Sequence, residues 1–292
     1  MNQAVSAAWH GRNAVSHKML SVEQVRDFDR LGYHFPLRAF SPGQIAAYRD
    51  RLESFERANG GTLGGQLRNK PHLLFTWADE IIRHPAILDA VEDVLGPDLL
   101  AWSSSFFTKD AHDPGYVSWH QDSTYWGLSE PDIVTAWVAF SDSVVENGCM
   151  RVIPGTHLMD QLPHKDTFAE NNMLTRGQEV QVEVDPARAV NVELQPGEFS
   201  LHHVRLVHGS DPNPSDRRRI GFAIRYVPTY VRQTAGPRDS AMLVRGTDQY
   251  HHFDPEPRPK VDYGEAERAA HKRITEEAVR ILYRGTDKAK TA

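Results

Sequence analysis

The chain has 292 residues, of which 40% are apolar and 25% charged, with a net charge of −6. That composition belongs to a globular protein able to bury a sizeable core, and the acidic balance excludes nucleic-acid binding that relies on overall positive charge. The single cysteine, Cys149, excludes an internal disulfide framework and a cysteine-rich zinc site.

Residues 1–20 contain no uninterrupted apolar stretch, so no secretory signal is expected there, and no window is apolar enough over a sufficient length for a membrane helix. The expectation is a cytoplasmic protein with no membrane or nucleic-acid partner. Residues 1–20 read as a flexible arm, and 21–285 as one domain. Ser21 and Gln24 form a capping pair ahead of an apolar-periodic run, predicting a short helix stopped by Gly32 and then a short strand. Ser41 as N-cap, Pro42 at the first helical position and Gly60-Gly61 as the stop predict a second helix. The stretch HPAILDAVEDVLG predicts a third, ended by Gly96-Pro97.

From residue 98 the character changes. LLAWSSSFFTKD, VTAWVAFSDS, GCMRVIPGTH, NVELQPGEFSLHH and RRIGFAIRYVP are short, rich in aromatic or β-branched residues, and bounded by Gly, Pro, Asn and Asp. That is the pattern of antiparallel strands in a sandwich or barrel. Residues 158–180 are polar and predict a long loop, of the kind that serves as a lid. GEAERAAHKRITEEAVRILYRG predicts a closing amphipathic helix. The fold class is thus mainly β with flanking helices.

The stretch SWHQDSTYWGL, residues 118–128, concentrates the chemistry. If 118–124 is extended, His120 and Asp122 point to the same side, because side chains alternate along a strand. A non-haem ferrous site needs two histidines and one carboxylate on one face of an octahedron, with the other positions open. LHHVRLVHGSDPNPSDRRRIGFAIRYVP offers His202, His203 and His208 as the second histidine. His208 stands before Gly-Ser at an expected strand end. Arg219 opens the next strand and shares a face with Gly221, Ala223 and Arg225. A guanidinium beside small residues is suited to hold a buried carboxylate by two parallel hydrogen bonds. Tyr125 and Trp126 are expected to wall a substrate pocket, with Trp119 less so. His157 is expected to make a structural hydrogen bond, Cys149 to be a small buried hydrophobe, and two of the arginines at 217–219 to be solvated.

Together these residues resemble the phytanoyl-CoA dioxygenase family of iron(II)- and 2-oxoglutarate-dependent oxygenases. The matching stretches are WHQD at 119–122, TAW at 135–137, NGCMRVIPGTH at 147–157, PGEFSLHH at 196–203, HGS at 208–210, and Arg219. The resemblance covers roughly residues 22–230 and implies a double-stranded β-helix, a cupin-like jelly roll. It implies His120, Asp122 and His208 as iron ligands. It implies Arg219 pairing with the distal carboxylate of 2-oxoglutarate, Ser210 supporting it, and Trp137 lining that pocket. Fe(II), 2-oxoglutarate and O2 are the implied cofactor and cosubstrates, with succinate and CO2 released. Members that chlorinate carbon have Ala or Gly where Asp122 stands, so hydroxylation of a small molecule is the implied outcome. Desaturation, cyclisation, epimerisation or oxidative cleavage with the same cofactors is the alternative. A non-catalytic jelly-roll binding protein is the alternative of another class.

Overall fold

Two alternating patterns build the molecule, one period-two and one helical, and they meet on a single sheet. The computed structural model describes residues 17–236 and 238–283. Its α-helices are α1 (Val22–Leu31), α2 (Pro42–Ala58), α3 (Thr76–Ile82), α4 (Pro85–Leu95) and α5 (Glu265–Leu282). Its strands are β1 (Tyr33–Arg38), β2 (Leu99–Lys109), β3 (Val117–His120), β4 (Val134–Ala139), β5 (Met150–Val152), β6 (His164–Asp166), β7 (Gln178–Val180), β8 (Val190–Val192), β9 (Glu198–His203), β10 (His208–Ser210), β11 (Arg219–Pro228), β12 (Ser240–Arg245) and β13 (Asp254–Pro255).

A seven-stranded sheet runs β1-β9-β4-β11-β2-β12-β13, and a four-stranded sheet runs β3-β10-β5-β8. Every pairing in them is antiparallel except β12 with β13. This is the mainly-β jelly roll of the cupin type, with helices on its outer face.

Strand β11 explains the layering. It lies between β2 and β4, and all its residues are buried. Ile220, Phe222, Ile224 and Tyr226 join one apolar core with residues of α1 to α4. Ala223, on the opposite face, joins Trp137, Met150 and Val192 in a second core between the two sheets. The alternation therefore aims Arg219, Gly221, Ala223 and Arg225 into the inter-sheet space. Burying apolar area on both faces stabilises the sheet by about 25 cal/mol per Å² removed from water.

Both capping boxes form as the sequence predicts, on Ser21–Gln24 and Ser41–Gln44. Gly32 ends α1 in the left-handed region at φ 85°, a conformation that costs glycine little. Helix α2 ends at Ala58, just ahead of Gly60-Gly61, and α4 ends at Gly96. Helix α3 has no counterpart in the sequence reading, because Phe75 at its N-cap offers no side-chain cap.

Three expectations need correction. Residues 1–16 of the expected arm lie outside the described residues, but Lys18, Met19 and Leu20 donate backbone N–H groups to the Asp93 carboxylate at 2.7–2.8 Å, and Leu20 is buried. The described end of that segment is therefore anchored. The expected loop 158–180 contains the antiparallel β6–β7 hairpin. Of the three arginines, Arg217 alone is solvated. Arg218 binds the buried Glu56 of α2 at 2.7 and 2.9 Å, since that carboxylate needs a cation, and Arg219 is buried. Among the described residues no helix is long and apolar enough to cross a membrane.

Candidate metal centre

Backbone pairing brings the two histidines together. In the β10–β3 ladder His208 lies directly opposite His120, and their ring centroids are 4.2 Å apart. The sequence expectation of one extended segment over 118–124 is corrected here: β3 ends at His120, and Asp122 begins a 3₁₀ turn, Asp122–Tyr125. The Asp122 N–H donates to Val204 O at 3.0 Å, and that bond turns the chain inward. The carboxylate still reaches the histidines, with Oδ1 3.3 Å from His120 Nε2. One ligand atom from each of His120, Asp122 and His208 lies within 4.8 Å of the others, and all three residues are buried.

The tautomers are fixed by neighbours that can only accept. His120 Nδ1 faces Ser118 O at 2.9 Å and His208 O at 3.1 Å, and His208 Nδ1 faces Leu206 O at 2.9 Å. Both Nδ1 atoms therefore carry the proton, leaving both Nε2 lone pairs for a metal. Burial, reinforced by the charge of His120, pushes His208 down to about 4 and keeps it neutral. Burial alone would raise Asp122. The electropositive surroundings of His120, His208 and Arg225 override it, holding the carboxyl well below its usual range. Two neutral imidazoles and one carboxylate form the donor set suited to ferrous iron.

The triad opens on an inner chamber of about 50 Å³ that Trp137, Ser210 and Arg219 also line. Arg219 is 2% exposed, with its guanidinium carbon 5.6 Å from the Trp137 ring centroid. Burial lowers it to about 10, still cationic at neutral pH. It donates one hydrogen bond to Gly148 O, and its Nε is buried without a partner among the described residues. Trp137 approaches because Gly221 has no side chain; a Cβ there would stand 1.8 Å from Trp137 Cζ2.

Sequence reasoning missed Lys109. It is fully buried at the end of β2, opposite Arg219 in the ladder, and its Nζ donates to Ser210 Oγ at 2.8 Å. Burial first, and then the charge of Arg219, pushes it down to about 6. A buried amine on that hydroxyl, opposite a buried guanidinium on the next strand, suits an anion whose binding lets the lysine take up a proton. The only sequence signal was a lysine ending an aromatic strand, which is ordinarily a surface residue.

Tyr125 and Trp126 line a second, outer chamber of about 130 Å³, which shares Phe107, Asp122, Leu174 and Arg225 with the inner one. Tyr125 donates to Asp166 at 2.5 Å, and burial with that bond pushes its hydroxyl up to about 12. Trp119 does not join them; the Arg151 guanidinium covers its ring at 5.5 Å. Of the rival histidines, His202 lines the inner chamber with Nε2 4.0 Å from Asp122 Oδ2 and Nδ1 buried without a partner among the described residues. His203 faces His157 and accepts the Arg205 N–H at 3.0 Å. His157 Nε2 faces Asp29 O at 3.0 Å, and Cys149 is buried, with burial pushing its thiol up to about 11.

Residues 28–221 match the family model described as phytanoyl-CoA dioxygenase. The chain belongs to the phytanoyl-CoA dioxygenase family. This is a family of Fe(II)- and 2-oxoglutarate-dependent non-haem oxygenases. One relative, a probable alpha-ketoglutarate-dependent hypophosphite dioxygenase of Stutzerimonas stutzeri, is 30% identical over 58% of this chain and 61% of its own length. The human peroxisomal phytanoyl-CoA dioxygenase is 30% identical over 49% of this chain and 43% of its own. The match thus spans about half the length of these curated relatives. Among solved structures, the non-haem monooxygenase ThoJ in its apo form is 38% identical, with a TM-score of 0.79 over 89% of this chain and 97% of its own. CytC3 with Fe(II) and alpha-ketoglutarate is 26% identical, with a TM-score of 0.62 over 85% and 97%.

Proposed function

We propose that this chain is an Fe(II)- and 2-oxoglutarate-dependent dioxygenase that hydroxylates an unactivated C–H bond of a small-molecule metabolite. The observation that carries the reading is the conjunction of His120, Asp122 and His208 with the buried Arg219 on one chamber, and with Lys109 behind it on the Ser210 hydroxyl. A binding module needs no buried metal triad beside a separate dicarboxylate site.

In this reading His120 Nε2, His208 Nε2 and an Asp122 oxygen hold the metal. Arg219 and Lys109 take the distal carboxylate of 2-oxoglutarate, Ser210 donates to it, and Trp137 flanks its chain. Bound there, ferrous iron would couple the oxidative decarboxylation of 2-oxoglutarate by O2, which yields succinate and CO2, to insertion of the second oxygen atom into the substrate. The protein's part is orientation and exclusion of water. Ser118 and Leu206 carbonyls fix the imidazoles, and the inter-sheet core keeps the cosubstrate end dry. Asp122 fills the place that chlorinating relatives leave to halide, which favours hydroxylation. Similarity to SnoK, a carbocyclase at 25% identity and a TM-score of 0.59, keeps ring closure with the same cofactors as the second reading.

The test is an anaerobic titration of the apo-protein with Fe(II) and 2-oxoglutarate, following the weak visible charge-transfer band. The band is expected in the wild type and absent in His208→Ala, and Asp122→Ala is expected to lose turnover, read as succinate release. A wild type without the band, or wild-type turnover in Asp122→Ala, refutes the assignment. Product mass separates hydroxylation, which adds one oxygen, from ring closure, which removes two hydrogens.

A further inference from the structure

The outer chamber carries an unbalanced charge. Its cations are Arg68, Lys70, Arg176 and Arg225. Two are neutralised locally: Lys70 by Glu256, and Arg176 by Asp166, on which its Nε donates at 2.9 Å. The other two are not. Arg68 donates to Met173 O at 3.1 Å, and Arg225 Nη1 donates to Ser105 Oγ at 2.9 Å. No carboxylate among the described residues forms an ion pair with either. Arg225 is 8% exposed, its Nε is buried without a partner among the described residues, and it lines both chambers. Asp122, the one acid among the residues lining the chamber, attracts Arg225 without forming an ion pair with it and is committed to the metal in the reading above.

A buried guanidinium without an anion is costly, and a pair of them side by side is more so. One part of the remaining wall is aromatic, beside polar side chains such as Gln66, Asn69 and Gln178. Trp126 lies 4.9 Å from Trp102 between ring centroids, and Arg225 sits 5.7 Å from the centroids of both Trp126 and Phe107. Helix α5 closes the side with Ala278, Val279 and Leu282.

We propose that the substrate is an organic oxyanion, a carboxylate or phosphonate, whose charged group is held by Arg225 and Arg68 and whose apolar body lies on Trp126 and Trp102. This rests on the dioxygenase reading. Because Arg225 lines the inner chamber too, the anion sits at the metal end, and the carbon presented for oxidation is close to the charged group. A guanidinium fork holds such a group by paired, charge-assisted hydrogen bonds.

The experiment uses the anaerobic Fe(II) protein with saturating 2-oxoglutarate. Phenylacetate, benzylphosphonate, indole-3-acetate and the neutral phenylacetamide are titrated by calorimetry. At least one anion is expected to bind tenfold or more tightly than the amide, and the better of phenylacetate and benzylphosphonate names the oxyanion. Arg225→Met is expected to remove that preference while leaving the 2-oxoglutarate midpoint within twofold; Arg225→Lys restores part of it. Arg68→Met, on a half-buried residue, repeats the test where folding is less at stake. Amide binding equal to that of the anions, or no binding by any anion, overturns the proposal. So does a loss of 2-oxoglutarate affinity in Arg225→Met matching the loss for the anion, which gives the arginine to the cosubstrate. Loss of the charge-transfer band in the wild type sinks the dioxygenase reading instead, and the anion-over-amide preference of the metal-free protein then judges the chamber by itself.

Discussion

Replacing Gly221 with alanine tests how the cosubstrate chamber is built. A Cβ at 221 would meet Trp137 Cζ2 at 1.8 Å, Cε2 at 2.3 Å and Cη2 at 2.4 Å. Carbon atoms rest about 3.5–4.0 Å apart, so the indole must withdraw by roughly 2 Å. Strand β11 cannot retreat, because Gly221 is paired with Phe107 on one side and Ala139 on the other. The ring lines the inner chamber, and its displacement carries it toward Arg219 and the space assigned to 2-oxoglutarate. Overpacking of this kind costs about 1–3 kcal/mol. At roughly 2–4 °C of Tm per kcal/mol in chains of 150–250 residues, the expected drop is roughly 2–12 °C. A displacement costing cosubstrate binding about 1.4 kcal/mol weakens it tenfold. The assay pairs thermal denaturation with the midpoint of the charge-transfer titration. Adding Trp137→Phe removes the clashing atoms and is expected to recover stability. A Gly221→Ala protein with unchanged Tm and a cosubstrate midpoint within twofold of wild type refutes this account of the chamber wall.

Two further outcomes are expected. Lys109 sits at about 6 in the cosubstrate-free protein and is raised when a dicarboxylate binds beside it. Between about pH 6 and the ordinary lysine value near 10.4, 2-oxoglutarate binding takes up as much as one proton, and affinity falls as pH rises. Calorimetry in buffers of different ionisation enthalpy measures that uptake, and uptake that persists in Lys109→Met removes the lysine from the site. Glu256→Gln leaves Lys70 as a buried charge without its counter-ion and costs about 3–5 kcal/mol in denaturant unfolding. Burial would raise Glu256, but Lys70 and His72 lower it to about 2. Its stabilisation is complete above the ordinary glutamate value of about 4.3 and is lost as pH falls from there toward 2. A variant as stable as wild type at pH 7, or a wild type with no loss in that window, contradicts it.

The triad and Arg219, brought together on one chamber, were legible in the sequence because they are local in it. His120 and Asp122 are two residues apart, and His208, Ser210 and Arg219 fall within twelve residues of sequence that cross from one sheet to the other. Strand periodicity alone aims Arg219 and Arg225 the same way. Even there the geometry differs from the simplest reading, since Asp122 reaches the metal site from a turn held by Val204 rather than from an extended strand. Lys109 was hidden because nothing local distinguishes a strand-end lysine that is solvated from one buried by β10 across the sheets. The substrate end was hidden for the same reason on a larger scale. Arg68 comes from the turn before α3, Trp102 from β2, Trp126 from the loop after β3, Arg225 from β11 and Leu282 from the last helix. No spacing rule joins such positions; they become neighbours only when α5 packs over the mouth. The residues proposed for the family's shared chemistry are thus confined to two short stretches of sequence. The residues that choose a substrate are scattered, and their charge can be read only after folding shows which cations have found a carboxylate and which have not.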